Sequence, residues 1–212
     1  MTTWSDRAQA YRESETHRTG ADLDLLVEWC EPAEGVKALD VATGGGHVAR
    51  RLREAGCKVV TLDPSPGMQA DVLAPAEHIP FDDGAFDVVV TRIAPHHFED
   101  IRAAVAELER VSNRLVVVED TLYSSERHEQ AEKLRDPTHV RNYTEQEWRA
   151  YLEDTGARVE VVEAIRHPIE LEPWLTRAGC SAEDAARVRE LVAGRVEGTK
   201  VVLDRIVIKA VK

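Results

Sequence analysis

The 212-residue chain has little cysteine, few aromatics, no surplus of positive charge and no long apolar run. Three cysteines, Cys30, Cys57 and Cys180, are an odd number without CxxC or His/Cys spacing. That excludes a disulfide framework and a zinc site, so reduced packing thiols and no bound metal are expected. Twenty-seven Lys and Arg against 39 Asp and Glu give a formal net charge of −12, which repels phosphate backbones and anionic membrane surfaces. Nucleic acid and membrane are therefore not expected as partners. The strongest apolar runs, 86–90 and 115–118, are far shorter than the roughly 20 residues that span a bilayer. The segment 1–9 is polar and lacks the basic and apolar parts of a secretory leader, so a cytoplasmic location is expected.

What is present belongs to a globular α/β protein. The hydrophobic fraction is 43% and the charged fraction 31%, and the length suits one well-filled domain. Strand-like and helix-like segments alternate after about residue 35, which is the signature of a parallel sheet with crossover helices. Strands are expected at 36–41, 58–62, 69–73, 86–91, 114–119, 158–165 and 201–211, most of them Val-rich and nearly continuous, as doubly buried strands are. Helices are expected at 48–55, 101–111 and 145–154, the last opened by a Thr144/Glu147 capping box, and from Ser181 to Ala193. Before the first strand, Leu23, Leu26, Val27 and Cys30 share one helical face.

Between the first strand and its helix, Leu39-Asp40-Val41-Ala42-Thr43-Gly44-Gly45-Gly46 carries three consecutive glycines. Such a turn lets a ligand approach the backbone, and the free N–H groups at the helix start face it. Asp63, at the end of the next strand, stands where a carboxylate accepts ribose hydroxyls. Taken alone, these residues are ambiguous. Gly44-x-Gly46-x-x-Ala49 also fits the dinucleotide pattern, with Asp63 19 positions beyond Gly44. Asp40 separates the two: an acid there repels a pyrophosphate and attracts a ligand carrying ammonium and sulfonium groups. The alternatives are that Asp40 only caps the loop and that the glycines only make a tight turn.

With Leu62-Asp63-Pro64-Ser65-Pro66-Gly67-Met68, Ala76-Glu77-His78-Ile79-Pro80-Phe81-Asp82-Asp83-Gly84-Ala85-Phe86-Asp87 and His96-His97-Phe98, the chain resembles the small class I methyltransferases similar to ubiquinone and menaquinone biosynthesis C-methyltransferases. The segments 11–17 and 135–141 look like parts of one subgroup. The resemblance implies S-adenosylmethionine as cofactor, with Asp40 near its methionine portion and the backbone around Ala42, Thr43, Gly44 and Gly46 lining it. It implies further that Asp63, followed by Pro64, binds the ribose, that Met68 packs on adenine, and that Ala76 and Glu77 flank the adenine edge. Arg92 and His97 would face the methionine moiety or the acceptor, and Tyr11 and His17 would reach the methionine carboxylate.

Two departures stand out. Ala42 replaces a glycine, which is tolerable if its φ is negative. Only 14 positions separate Asp63 from Glu77, so the helix usual there must be a turn or absent. The acid expected before Ala76 is Pro75, with Asp71 the candidate substitute.

The expected architecture is a Rossmann-like doubly wound seven-stranded sheet whose last strand is antiparallel. The whole chain, 1–212, is expected as one domain, with an N-terminal helical cap (1–31), a polar lid (120–143) and a helical insert (168–198). The expected activity is methyl transfer from S-adenosylmethionine to a small-molecule acceptor. His97, His96 and His139 are candidate bases, needed only if the acceptor loses a proton. The bland reading of the adjacent pair is that one histidine packs and the other caps the helix beginning near Glu99. Asp136 and Arg141 are expected to pair and hold the lid. The alternatives are an NAD(P) oxidoreductase, which leaves Asp40 and the His96-His97-Phe98 segment unexplained, and a non-catalytic S-adenosylmethionine-binding protein. The sequence sets no oligomeric state.

Overall fold

The computed structural model describes residues 4–212; the first three residues of the expected N-terminal cap lie outside them. Eight strands form one sheet: β1 (Lys37–Val41), β2 (Lys58–Asp63), β3 (Val72–Leu73), β4 (Phe86–Arg92), β5 (Ser112–Thr121), β6 (Arg158–Glu170), β7 (Val196–Glu197) and β8 (Lys200–Val211). Seven of them follow the order β3-β2-β1-β4-β5-β8-β6, and the two-residue β7 pairs with β8 alone. The first five are parallel, and β8 runs antiparallel to both β5 and β6, as expected of the last strand.

Nine helices complete the described residues: α1 (Trp4–Glu13), α2 (Glu15–Arg18), α3 (Ala21–Trp29), α4 (His47–Glu54), α5 (Ile101–Val111), α6 (Glu126–Arg135), α7 (Glu145–Asp154), α8 (Leu171–Arg177) and α9 (Ala182–Val192). Alternate residues of a strand point to opposite faces, so a strand covered on both sides is apolar throughout. Val88 and Val90 pack toward α3 and α4 with Leu23, Leu26 and Leu52. Val89 packs on the other face with Leu108 of α5 and Trp148 and Leu152 of α7. A third cluster joins Trp174 and Leu175 of α8 and Val188 and Val192 of α9 to Ala131 of α6 and to Val201 and Leu203.

The helix starts follow local chemistry. Asp100 accepts the amides of Arg102 and Ala103 and so caps α5; neither adjacent histidine does. Thr144 and Glu147 form the expected capping box on α7.

Several expectations change in extent. Between β2 and β4 the chain makes only a 3-10 turn, Pro66–Met68, and the two residues of β3. Three prolines between Asp63 and Ala76 lack an N–H, which keeps this stretch irregular. The polar segment 120–143 begins inside β5 and contains α6, whose buried residues are His128, Glu129, Ala131, Glu132 and Arg135. Arg141 pairs with Glu147 at 2.6 Å. The insert starts later than expected because β6 continues to Glu170 beside β8.

Candidate active site

The sheet order turns back at β1, with β2 on one side and β4 on the other, and a crevice opens at the carboxyl ends of strands beside such a switch. A cavity of about 740 Å³ lies there. Every residue expected to contact the cofactor lines it, from Tyr11 and His17 to Arg92, except Gly46, which caps α4 with a left-handed φ of 74°. His97 also lines it.

Two carboxylates stand at neighbouring strand tips. Asp40 is 2% exposed. Its Oδ2 accepts from Thr43 Oγ1 at 2.6 Å and from Ala49 N at 3.1 Å. It therefore caps the loop and faces the cavity at once. Burial is the largest influence and raises its pKa to about 6; the two hydrogen bonds oppose that shift, and Asp63 adds to it. Asp63 Oδ2 accepts from Gly44 N at 3.0 Å and Oδ1 from Ser65 N at 2.9 Å. Burial again raises its pKa.

Strain concentrates at the same place. Ala42 has φ 54°, so the condition under which alanine replaces the glycine without strain is not met, and Ile93, just after β4, has φ 52°. L-residues in this left-handed region clash through Cβ, most severely when β-branched, and such conformations gather at functional sites. Both residues line the cavity.

α1 borders the cavity, with Trp4 and Tyr11 in its wall. Two glycines admit it. A Cβ on Gly45 would meet Tyr11 O at 2.9 Å, and one on Gly67 would meet Ser5 Cα at 2.5 Å. Arg12 donates to Gly67 O and Gly67 N to Ser5 Oγ, each at 3.0 Å.

Arg92 spends its guanidinium on the scaffold. It donates to Glu119 at 2.6 Å, to Asp22 at 2.5 Å and to His17 O at 3.0 Å. Burial is the largest influence on Asp22 and would raise it, but the Arg92 charge, the Glu119 hydrogen bond and the Arg205 charge together outweigh burial and hold the carboxyl at about 2. For Glu119 burial prevails and raises the pKa to about 8.

The histidines separate. A carboxylate or carbonyl can only accept, so the partner fixes each ring's tautomer. His97 Nδ1 donates to Thr138 O at 3.0 Å, leaving Nε2 without a proton in the neutral ring. Burial, then the neighbouring His96, pushes its pKa well below the ordinary value. His96 Nδ1 donates to Asp120 Oδ1 at 2.5 Å, and its ring lines a smaller cavity behind the main one. His139 Nε2 donates to Glu129 at 2.8 Å and lines neither. Asp71 is also away from the site: it accepts from Thr61 N and Oγ1 at 2.9 and 2.7 Å, fastening the start of β3 to β2. Sequence reasoning missed Trp4, His47, Ile93 and Phe98, all in the wall. His47 follows the glycine run directly, which was a signal; Ile93 is marked only by its backbone. Among the described residues, no cluster of three His, Cys, Asp or Glu is placed to hold a metal ion, and no helix is long and apolar enough to cross a membrane.

Comparison with known proteins adds family evidence. Residues 39–114 match the family described as "Methyltransferase domain". The chain is 29% identical over 205 residues to the uncharacterized methyltransferase YcgJ of Bacillus subtilis, covering 86% of this chain and 81% of YcgJ. It is 37% identical over 106 residues to demethylmenaquinone methyltransferase of Thermus thermophilus, covering 39% of this chain and 46% of that protein. A crystal structure from Bacillus halodurans, provisionally assigned as a methyltransferase, superposes with a TM-score of 0.80 at 26% identity, covering 91% of this chain and 99% of that one.

Proposed function

We infer, for a chain that belongs to the class I S-adenosylmethionine-dependent methyltransferases, that the 740 Å³ cavity takes both cofactor and a small-molecule acceptor. The observation that carries this reading is the pair of buried carboxylates, Asp40 and Asp63, at adjacent strand tips, because a positively charged nucleoside is attracted where a diphosphate is repelled. The residues fit the cofactor's parts. Asp40 and the glycine backbone would hold its cationic methionine portion, Asp63 its ribose, and Met68, Ala76 and Phe98 would form apolar walls about its adenine. The volume lies within the range of about 300–1,000 Å³ that encloses small ligands. The short likeness to demethylmenaquinone methyltransferase supports the quinone-biosynthesis group expected from the motifs.

The cofactor supplies a methyl group on an already activated sulfur, so the chain's own work is alignment and exclusion of water. Trp4 and Tyr11 of α1 wall the cavity. His97 is held neutral by burial with Nε2 unprotonated, ready to take a proton from an acidic acceptor. Because its pKa lies well below the ordinary 6.5, activity that depends on it would persist below pH 6.5 and fall only at lower pH. His96 and His139 stand behind it, their rings 4.1 and 6.3 Å from that of His97, and would act by positioning it.

Calorimetric titration tests the reading. S-adenosylhomocysteine is expected to bind and NAD is not; the reverse result would overturn the methyltransferase assignment. Asp63→Asn is expected to weaken S-adenosylhomocysteine by about tenfold or more, the loss of charge-assisted hydrogen bonds.

A further inference from the structure

Behind the main cavity lies a second, of about 40 Å³. That is room for two or three waters, or roughly one carboxylate group. Three guanidiniums from distant parts of the chain converge on it: Arg135 from the end of α6, Arg177 from the end of α8 and Arg205 from β8. Glu132 is the carboxylate in its wall. In a chain of net charge −12, this is a local reversal of sign.

Glu132 is already engaged, accepting from Arg135 Nε at 3.0 Å, while Arg135 also lies 4.6 Å from the Trp174 ring centroid. Arg177 donates to Ser14 Oγ at 2.9 Å. Arg205 differs. It is 5% exposed, and its Nη1 donates to Thr121 Oγ1 at 2.7 Å. Its Nε is buried without an acceptor, and its charge is felt at Asp22 and Glu119, which Arg92 already engages. His167 Nε2, on the same wall, is likewise buried without a partner. Buried donors are nearly always satisfied, and an orphaned guanidinium N–H is costly, so this N–H calls for an acceptor from within the cavity. The field of these cations is felt around the cavity. Burial first, then Arg205, lowers His167 to about 4, and burial with Arg177, Arg92 and Arg205 drives His17 well below its ordinary value.

We propose that this cavity is the anionic end of the acceptor site: the acceptor is a small molecule bearing a carboxylate, which Arg205 receives. Its methyl-accepting atom then lies in the main cavity, across the wall that the two share through Tyr11, His17, Ile93 and His97. The carboxylate anchors the acceptor and is not itself methylated. The small volume and the single orphaned guanidinium N–H suit a monoanion better than a phosphate. This assignment rests on the methyltransferase reading. A carboxylate could also come from the amino-acid end of the cofactor. The main cavity alone is large enough for a whole small ligand, which favours the acceptor as the source.

The test uses propionate and its uncharged counterpart propionamide, titrated by NMR into the cofactor-free protein and into Arg205→Gln and Arg205→Lys variants. Propionate is expected to bind more tightly than propionamide, to weaken about tenfold in the Gln variant and to recover part of that loss in the Lys variant. Equal binding of the two probes to the unaltered protein overturns the proposal, and this arm does not depend on either variant folding. S-adenosylhomocysteine and 5′-methylthioadenosine, which lacks the amino-acid end, are titrated in parallel. If Arg205→Gln weakens the first and spares the second, the carboxylate belongs to the cofactor and the acceptor assignment falls. If the unaltered protein binds neither nucleoside, the methyltransferase reading fails while the propionate arm still reports on the anion site.

Discussion

At the scale of single residues, the site is built from groups held in unfavourable states. Asp40, buried and raised to about 6, binds its proton more tightly folded than unfolded, where its value is 3.8. Its contribution to stability is therefore fully present below about pH 3.8 and is lost as pH rises through about 6. Two units correspond to about 3 kcal/mol. Asp40→Asn, which keeps an acceptor for Thr43 and Ala49, is expected to raise the stability of the free protein at pH 7.5 by about 1–3 kcal/mol, measured by urea unfolding, and to weaken cofactor binding. An unchanged pH profile in the variant would show that Asp40 is not the titrating group. Ala42, at φ 54°, carries about 1–2 kcal/mol of left-handed strain. Ala42→Gly removes it but loosens the unfolded chain by about 0.5–1 kcal/mol, so a net gain of under about 1 kcal/mol is expected in the same unfolding assay. The resemblance pointed to the positions of both residues. The sign of φ at Ala42 was not legible, because the strain is imposed by how the loop passes the tips of β1 and β2.

At the scale of elements, legibility follows the source of the packing. β1, β4 and β5 are buried on both faces, so their valines announce them, and α5 shows its apolar face at Ile101, Ala104, Val105 and Leu108. α6 was hidden because its buried face is largely His128, Glu129, Glu132 and Arg135, which lie against one another and nearby charged groups instead of following an apolar period. The second cavity was equally hidden: Arg135, Arg177 and Arg205 meet only through the fold, and no spacing connects them. α7 was legible from its capping box. Thr144→Ala removes the hydroxyl that accepts Glu147 N and is expected to cost about 1 kcal/mol, seen as a fall of about 2–4 °C in Tm. No change in Tm would mean that the box is redundant with the burial of Trp148.

At the scale of the whole molecule, two cores sandwich the sheet and a third sits under α6, α8 and α9. Separate clusters open separately, so native-state amide exchange is expected to release α8 and α9 before β1, β4 and β5. Trp174→Ala should widen that gap, and simultaneous loss of protection throughout would refute it. The first helix has a different consequence. It is fastened to the turn after β2 at Gly67 and rests on the glycine loop at Gly45, beside the cavity. A spent nucleoside held against it would leave more easily where that fastening is weakened. Residence time, more than bond-making, would then set the tempo of turnover, and a methyl on Gly67 that props the latch ajar would trade grip on the nucleoside for speed of exchange.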